Sequence, residues 1–370
     1  MMTRIGVDLR LLYDPSRTGL GRYALNLFNE LKLFAGEEYL AVGEIDEALS
    51  RDVNFVSCNY DLPQNNSAYA NRLLTLVGYM SELDLVHSLY FPIPEKRTFK
   101  GILTIHDLIP VRMKEIYGNQ INYDFFDIEL RKSIKYVDHI IAISEETKAD
   151  IIDFYSINPE MVTVIYEGAD PVFTQSSQQN ESNTLLNKFN ISGKYLLSVC
   201  TIEPRKNLAR LLEAYTLFRN KTKERIKLVL TGKFGWRYDT LLESIQKSKF
   251  ADDIILTGYV SDKELACFYQ NALAFIFPSL MEGFGLLVLE AMACGSAVIT
   301  SNCSSLPEIG GDGAMYCDPY DVESIFHAIN TLTNDKSLNE KIRVRGLERA
   351  KLFSWKKAAA ETRQVYMNYL

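Results

Sequence analysis

Short apolar runs alternate with longer amphipathic stretches along the whole chain, and this alternation limits the fold more than any other feature. The runs are 4–9, 40–42, 54–57, 85–88, 101–105 and 139–143 in the first half, and 195–199, 226–231, 254–257, 274–277, 297–300 and 315–317 in the second. Such alternation predicts βαβ units and parallel sheets. We therefore expect an α/β fold with two Rossmann-like, doubly wound domains facing a central cleft, and ligands outside the carboxyl ends of the strands.

The length of the chain also favours two domains, because 370 residues exceed the usual size of a single core. Positions 170–183 are polar and nearly without apolar periodicity, as in a linker. We predict an N-terminal domain over 1–170, a linker over 171–190 and a C-terminal domain over 191–353. The closing stretch 354–370 is amphipathic, with Ser354 placed to cap a last helix.

Composition excludes several classes of function. No apolar stretch approaches the roughly 18–20 residues of a membrane span, and Asp8 stands where a signal peptide needs its apolar core, so we expect a cytoplasmic protein. The six cysteines form no Cys-x-x-Cys pair and the four histidines lack zinc-site spacing, which favours reduced thiols and no metal. A net charge of −7 argues against a nucleic-acid partner. Positions 171–370 carry 24 Lys and Arg against 21 Asp and Glu, so an anionic ligand is expected there.

The segment 281–285 reads Met-Glu-Gly-Phe-Gly and precedes an apolar, helix-like run in which Glu290 follows Glu282 by eight residues. The glycines permit close approach of a ligand to the backbone. A helix beginning at this point presents unpaired N–H groups that suit a phosphate, from Gly285, Leu286 and Leu287. The two carboxylates, roughly 10 Å apart, can accept hydroxyl hydrogen bonds on either side of a diphosphate. Two unrelated helix carboxylates remain the alternative explanation.

Two adjacent cations, Arg205 and Lys206, lie in the segment Glu-Pro-Arg-Lys-Asn over 203–207, which follows a predicted strand and precedes a helix. On such a loop they can neutralise a diphosphate leaving group as its charge develops. A solvated basic loop is the alternative. Lys233 follows another strand end in Thr-Gly-Lys over 231–233 and is placed to add to phosphate binding.

The first half contains further candidates at three strand ends. Gly19 and Gly21 open a helix, where an anion is favoured, although an ordinary strand–helix turn explains them equally well. His106 is placed to hydrogen-bond a sugar hydroxyl, unless it is a satisfied structural histidine. Asp107 can cap the next turn, and a capping box is a sufficient reason for Ser144.

These motifs, in this order, resemble the retaining glycosyltransferases of family 4, which have the GT-B fold. The resemblance is carried by Thr-Gly-Leu-Gly-Arg-Tyr (18–23), Thr-Ile-His-Asp-Leu-Ile-Pro (104–110), Glu-Pro-Arg-Lys-Asn and Glu-x7-Glu, with Phe-Pro-Ser (277–279) and Ala-Cys-Gly (293–295) beside them. It covers nearly the whole chain. It implies a nucleotide-sugar donor bound mainly by the second domain and a last helix that crosses back onto the first.

The resemblance also implies a role for each motif residue. Glu282, His106, Arg205 and Lys206 are expected in catalysis, with the two cations on the diphosphate and Glu282 on the sugar hydroxyls. Glu290 is expected on the ribose. The expected donor-binding residues are Gly19, Gly21, Arg205, Lys206, Lys233, Glu282, Gly283, Phe284, Gly285, Leu286, Leu287 and Glu290. Asp107 and Ser144 are expected on the acceptor side.

Within the family, Thr-Gly-Leu-Gly-Arg-Tyr together with Thr-Ile-His-Asp-Leu-Ile-Pro looks most like bacterial mannosyltransferases of O-antigen or capsule synthesis. The resemblance therefore implies GDP-mannose as donor, a lipid-linked glycan as acceptor and peripheral contact with the inner face of the plasma membrane. The chain contains no Asp-x-Asp, so we expect transfer without a metal or other cofactor. The resemblance further implies front-face attack with retained configuration. A UDP-sugar or deoxysugar donor, a small soluble acceptor and a catalytically silent sugar-nucleotide-binding protein remain alternatives. The aromatic stretch 116–126 is either an acceptor-facing loop or a buried helix.

Overall fold

A computed structural model describes residues 2–9, 19–42, 55–56, 82–89, 93, 95, 97–117, 123–174 and 179–370. The chain forms two compact units. Unit 1 comprises Met1–Gly168 together with Ser354–Leu370, and unit 2 is Ala169–Phe353. In the described part of the chain, no helix combines the length and the apolar character needed to cross a membrane.

Unit 1 contains a seven-stranded parallel sheet in the order β3-β2-β1-β4-β5-β6-β7. Its strands are β1 Thr3–Asp8, β2 Glu37–Val42, β3 Phe55–Val56, β4 Leu85–Ser88, β5 Lys100–Ile105, β6 His139–Ala142 and β7 Val162–Val164. Its helices are α1 Gly19–Leu31, α2 Ile109–Arg112, α3 Lys114–Tyr117, α4 Tyr123–Tyr136 and α5 Glu145–Tyr155, and the 3-10 turn Pro159–Met161 precedes β7. The strand order reverses between β1 and β4, as in doubly wound folds.

Unit 2 contains a six-stranded parallel sheet in the order β10-β9-β8-β11-β12-β13, which repeats this winding. The strands are β8 Tyr195–Val199, β9 Lys227–Thr231, β10 Ile254–Gly258, β11 Ala274–Phe277, β12 Val298–Ser301 and β13 Ala314–Cys317. The helices are α6 Gln179–Lys188, α7 Leu208–Lys221, α8 Asp239–Lys247, α9 Asp262–Asn271, α10 Leu286–Ala293, α11 Leu306–Gly310, α12 Val322–Asn334 and α13 Lys336–Ala350. The 3-10 turns are Pro171–Thr174, Pro204–Lys206, Ala251–Asp253 and Gly311–Gly313. The reversal lies between β8 and β11.

All twelve predicted strands are present, because strands covered on both faces are written as continuous apolar runs. The sequence did not reveal β7, in which Val162 is buried and the other two residues are only partly buried. The stretch predicted as a linker, 171–190, lies within unit 2 and contains α6. Within 182–188 only Ser182 is buried, which fits the polar sequence of this helix. Phe189 directly after it packs against Phe268, with ring centroids 5.6 Å apart.

The last helix, α14 (Trp355–Met367), packs within unit 1. The Ser354 hydroxyl caps it by accepting a hydrogen bond from the Lys357 N–H at 3.2 Å. Arg363 donates to the Glu37 carboxylate at 2.7 and 3.0 Å, and Tyr366 Oη lies 2.6 Å from His87 Nδ1. Burial, followed by the nearby His106, lowers the pKa of His87 to about 3, so this ring is neutral in the core. A last helix with Ser354 as its N-cap is what the sequence predicts.

Candidate active site

The candidate residues of unit 2 lie where its strand order reverses. Arg205 and Lys206 follow β8, and Glu282 follows the neighbouring β11. The carboxyl ends of both strands meet at one edge of the sheet, which brings side chains 76 positions apart into contact. Ligands of doubly wound sheets bind at this position.

The Glu282 carboxylate is the centre of this cluster. Its Oε1 accepts a hydrogen bond from Lys206 Nζ at 2.6 Å, lies 2.9 Å from Arg205 Nη1 and accepts the Ser279 hydroxyl at 2.5 Å. All three of these contacts are made to Oε1. Burial alone would raise the pKa of Glu282, but Arg205, Lys206 and the Ser279 hydroxyl lower it to about 2. The group is therefore ionised at neutral pH.

The backbone of Glu282 is held as firmly as its side chain. The Ser304 hydroxyl accepts from the Glu282 N–H at 3.0 Å and donates to the Glu282 carbonyl at 2.6 Å. Ser305 Oγ also lies 3.0 Å from that carbonyl and donates to Phe284 O at 2.7 Å. Ser304 has a left-handed backbone, φ 58°, which is uncommon for a residue other than glycine. The segment after β12 thus adopts an unfavourable conformation while it anchors the glutamate.

The loop with the two cations is largely buried and hydrogen-bonded, so it is not the solvated basic loop that the sequence left open. Lys206 is 8% exposed, and its Nζ lies 5.0 Å from the centroid of the Phe277 ring. Asn207 ends the turn in a left-handed conformation, φ 61°, and its side-chain amide donates to Pro278 O at 3.0 Å and Pro319 O at 2.7 Å. These contacts fix the loop to the segment that leads to Glu282.

Helix α10 begins directly after the Gly-Phe-Gly turn, as the sequence predicts. Gly285 is its N-cap with φ 114°, and the first intrahelical bonds run from the Val288 and Leu289 N–H groups to the Gly285 carbonyl. The N–H groups of Leu286 and Leu287 precede these bonds, so they are available to an anion. The Phe284 side chain is buried, with its ring centroid 6.1 Å from that of Phe353, so only its backbone is placed to meet a ligand.

Glu290 lies within α10 and is fully buried. Its backbone carbonyl accepts from Cys294 N–H at 3.0 Å. Burial, followed by the charge of Glu290, raises the pKa of the Cys294 thiol. Contact with a ribose, as the sequence predicts for Glu290, requires the atoms that cover the carboxylate to move.

Lys233 lies at the same edge of the sheet. Its backbone carbonyl accepts from Ile202 N–H at 2.8 Å, which ties its loop to the segment that leads to Arg205. Gly232 permits this approach: it has φ 139°, and a Cβ there would lie 1.9 Å from Cys200 O. The Lys233 ammonium lies 5.0 Å from the centroid of the exposed Tyr259 ring.

In unit 1, His106 is nearly buried between protein partners. Its Nε2 lies 2.9 Å from Leu89 O, and its Nδ1 lies 3.7 Å from the Glu167 carboxylate. The Tyr23 ring meets it edge-on, with centroids 4.6 Å apart. A sugar hydroxyl would have to compete with these partners for the ring nitrogens.

The other candidates of unit 1 have local structural roles. Asp107 Oδ1 accepts from Ile109 N–H at 3.0 Å, and Ser144 Oγ accepts from Thr147 N–H at 3.1 Å as the N-cap of α5. Ser144 is fully buried. Gly19 and Gly21 form the first turn of α1, and the preceding residues 10–18 lie outside the described part of the chain. Most of the stretch 116–126 has no described side chains, but Phe126 packs against the core.

Several residues beside the candidates had no predicted role: Glu203, Ser279, Ser304 and Ser305 in unit 2, and Glu167 in unit 1. Glu203 and Ser279 lie within quoted motifs, so their position was visible but their partners were not. The two serines after β12 belong to no motif, and only the fold brings them to Glu282. Among the described residues, no group of three or more His, Cys, Asp or Glu side chains is arranged to hold a metal ion.

Comparisons with known proteins agree with this geometry. Residues 17–173 match the model of Glycosyltransferase Family 4, and residues 183–349 match that of Glycosyl transferases group 1. The O-antigen chain mannosyltransferase B of Escherichia coli is 31% identical over 371 residues, covering 94% of this chain and 96% of that protein. The chain belongs to the family 4 glycosyltransferases. It is an enzyme, which removes the silent binding protein from consideration.

Other relatives and solved structures extend the likeness. The serotype-specific mannosyltransferase WbdA of Escherichia coli is 33% identical over 267 residues, or 70% of this glycosyltransferase and 32% of WbdA. Sucrose-phosphate synthase from Thermosynechococcus elongatus superimposes with a TM-score of 0.80 at 19% identity, covering 99% and 98% of the two chains. HepE from Anabaena, solved with UDP and glucose, gives 0.78 at 14% identity over 100% of both. The fold is GT-B, as the sequence predicts.

Proposed function

We propose that this glycosyltransferase moves mannose from GDP-mannose onto a lipid-linked glycan during synthesis of a bacterial surface polysaccharide. The observation that carries the proposal is the 31% identity to an O-antigen chain mannosyltransferase over nearly the full length of both proteins. The second relative, WbdA, is also a mannosyltransferase. Shared family membership would support only sugar transfer; two mannosyl-specific relatives favour this sugar.

The geometry of unit 2 supports a donor site around Glu282. The diphosphate would lie at the start of α10, on the Leu286 and Leu287 N–H groups, with Lys206 beside it. Glu282 Oε1 is occupied by protein donors, so its other oxygen would accept the hydroxyls of the sugar. Lys206 would share its charge between the carboxylate and the phosphate as the leaving group becomes more negative.

The proposed transfer needs no residue as covalent nucleophile. The acceptor oxygen bonds to the anomeric carbon on the face from which the diphosphate departs, and the bond from that carbon to the phosphate oxygen breaks. The acceptor proton passes to the departing phosphate oxygen. Configuration is retained, and Lys206 and the helix N–H groups supply the charge stabilisation that a metal provides in other transferases.

A panel of sugar nucleotides tests the donor. The purified enzyme is incubated in EDTA with GDP-mannose, GDP-fucose, UDP-glucose or UDP-N-acetylglucosamine and a lipid-linked glycan, and released nucleoside diphosphate and extended glycan are measured. Release and extension with GDP-mannose alone support the proposal. Equal or greater transfer from a uridine donor would contradict the choice of mannose while leaving the site intact.

A small soluble acceptor is the second candidate. Alpha-maltose-1-phosphate synthase of Mycolicibacterium smegmatis is 24% identical over 342 residues, covering 86% of this chain and 82% of that enzyme. If the present enzyme glycosylates a free sugar or sugar phosphate as fast as a lipid-linked glycan, the proposal of a lipid-linked acceptor is wrong.

A further inference from the structure

Glu203 belongs to the same edge of unit 2, yet the proposed mechanism gives it no role. Its Oε1 accepts two hydrogen bonds from Arg205, at 3.1 Å from Nε and 2.8 Å from Nη2. Both side chains are 12% exposed. One whole edge of the guanidinium is therefore committed to a nearly buried carboxylate.

The opposite side of the guanidinium reaches the segment that carries Glu282. Arg205 Nη1 donates to Met281 O at 2.7 Å and lies 2.9 Å from Glu282 Oε1. A guanidinium is planar and its N–H groups point in fixed directions, so holding one edge sets the orientation of the other. Glu203 thus sets the orientation of the Arg205 side chain, and Arg205 in turn sets the orientation of the Glu282 carboxylate.

We infer that Glu203 and Arg205 are positioning residues for Glu282, and that the diphosphate is bound by Lys206 and the helix N–H groups without Arg205. This assigns Arg205 a role different from the one that the family resemblance implies. The inference rests on the proposed function, because it takes Glu282 as the group that binds the donor sugar.

The charge balance supports this division of roles. Glu203, Arg205, Lys206 and Glu282 are two carboxylates and two cations with side chains 9–12% exposed, and their charges cancel. If Arg205 turned to the diphosphate, Glu203 would remain nearly buried without its counter-ion, which is costly. Lys206 can approach a phosphate at lower cost, because Arg205 and Ser279 still stabilise Glu282 when the Lys206 ammonium moves away from it.

The convergence of contacts indicates orientation of one group and not simply cohesion of the fold. Glu282 is held by Arg205 and Ser279 at one carboxylate oxygen, and by Ser304 at its backbone N–H and carbonyl. A network needed only for stability would not have to fix one carboxylate oxygen and both backbone groups of the same residue.

Binding measurements with and without the sugar separate the two roles for Arg205. Affinities for GDP and for GDP-mannose are measured by calorimetry in EDTA for the wild type, Glu203→Gln, Glu282→Gln and the double variant, together with kcat/KM and Tm. Glu224→Gln is the matched control, since this carboxylate pairs with Lys194 on the surface, 53% exposed. Arg205→Lys keeps the charge but removes the rigid fork, and serves if Glu203→Gln does not fold.

We expect Glu203→Gln to leave the Kd for GDP within about twofold, and to weaken GDP-mannose and lower kcat/KM roughly tenfold. In the Glu282→Gln background, Glu203→Gln should cause no further loss of GDP-mannose affinity or of kcat/KM, because Glu203 acts through Glu282. Arg205→Lys should show the same split between the two ligands, and Glu224→Gln should match the wild type.

Equal weakening of GDP and GDP-mannose in Glu203→Gln or Arg205→Lys would overturn the inference, since Arg205 would then serve the diphosphate. Additive losses in the double variant would overturn it as well. If the wild type binds and uses a different sugar nucleotide, the mannose proposal fails, and the same comparison is made with that donor and its nucleoside diphosphate. A wild type that binds no sugar nucleotide would overturn both.

Discussion

The two units place candidate residues at the carboxyl edges of similarly ordered sheets, but they hold them by different kinds of contact. In unit 2, ion pairs and hydroxyls from three loops converge on Glu282, across 76 positions to Lys206 and 22 to Ser304. In unit 1, Asp107 and Ser144 bond to backbone N–H groups two and three residues ahead, although His106 lies beside the distant Leu89 carbonyl and Glu167 carboxylate. Long-range charged contacts at a strand edge are the mark of a prepared site, whereas short-range caps are explained by the helices they begin.

Replacing Glu282 should have the largest effect and tests this contrast most severely. We expect Glu282→Gln to lower kcat roughly 100- to 1000-fold, because it removes a fixed charge at the donor sugar. Transfer rates at saturating donor, measured below the Tm of the variant, check it. A loss of less than about threefold would mean that the cluster of unit 2 serves the fold alone.

Lys206→Ala is expected to lower kcat roughly 100-fold, because it removes the cation proposed to neutralise the departing diphosphate. Its cost in turnover should exceed its cost in Tm, and Lys206→Arg should recover part of the rate. Steady-state release of nucleoside diphosphate measures both variants. A Lys206→Ala enzyme with normal turnover would remove this residue from the mechanism.

In unit 1, Ser144→Ala tests the other side of the contrast. Loss of the N-cap of α5 should cost about 1 kcal/mol of unfolding free energy, with kcat and donor KM within about twofold of wild type. Urea denaturation and steady-state kinetics give the two numbers. A large fall in kcat without loss of stability would place Ser144 in the acceptor site, as the family resemblance implies.

The smallest predicted effect concerns pH. The pKa of Glu282 is about 2 in the folded protein against an ordinary 4.5, despite burial, which opposes the shift. Because the unfolded chain binds this proton more readily, ionised Glu282 stabilises the fold above pH 4.5, and that contribution is lost as the pH falls from 4.5 towards 2. The stability advantage of wild type over Glu282→Gln should be about 1 kcal/mol smaller at pH 4 than at pH 7. An advantage that is equal at both pH values would show that Glu282 is not ion-paired in solution.

The same contrast explains what the sequence could predict. Strands such as β8 and β11 are fully buried and can be recognised from apolar content alone, whereas only Val162 of β7 is buried. Glu282 and Lys206 stand in recognisable motifs. Ser304 could not be found, because its function depends on a left-handed backbone and a partner 22 positions away. The helical nature of 179–188 was hidden by its polar composition.

The most direct test of the account is the product itself. The wild-type enzyme is given GDP-mannose labelled with ¹³C at the anomeric carbon and a lipid-linked glycan acceptor in EDTA, and the new linkage is observed by NMR. We predict an α-mannoside, formed with retention and without added metal, with one GDP released per mannose transferred. A β-linked product, or transfer that appears only when a divalent cation is restored, would contradict it.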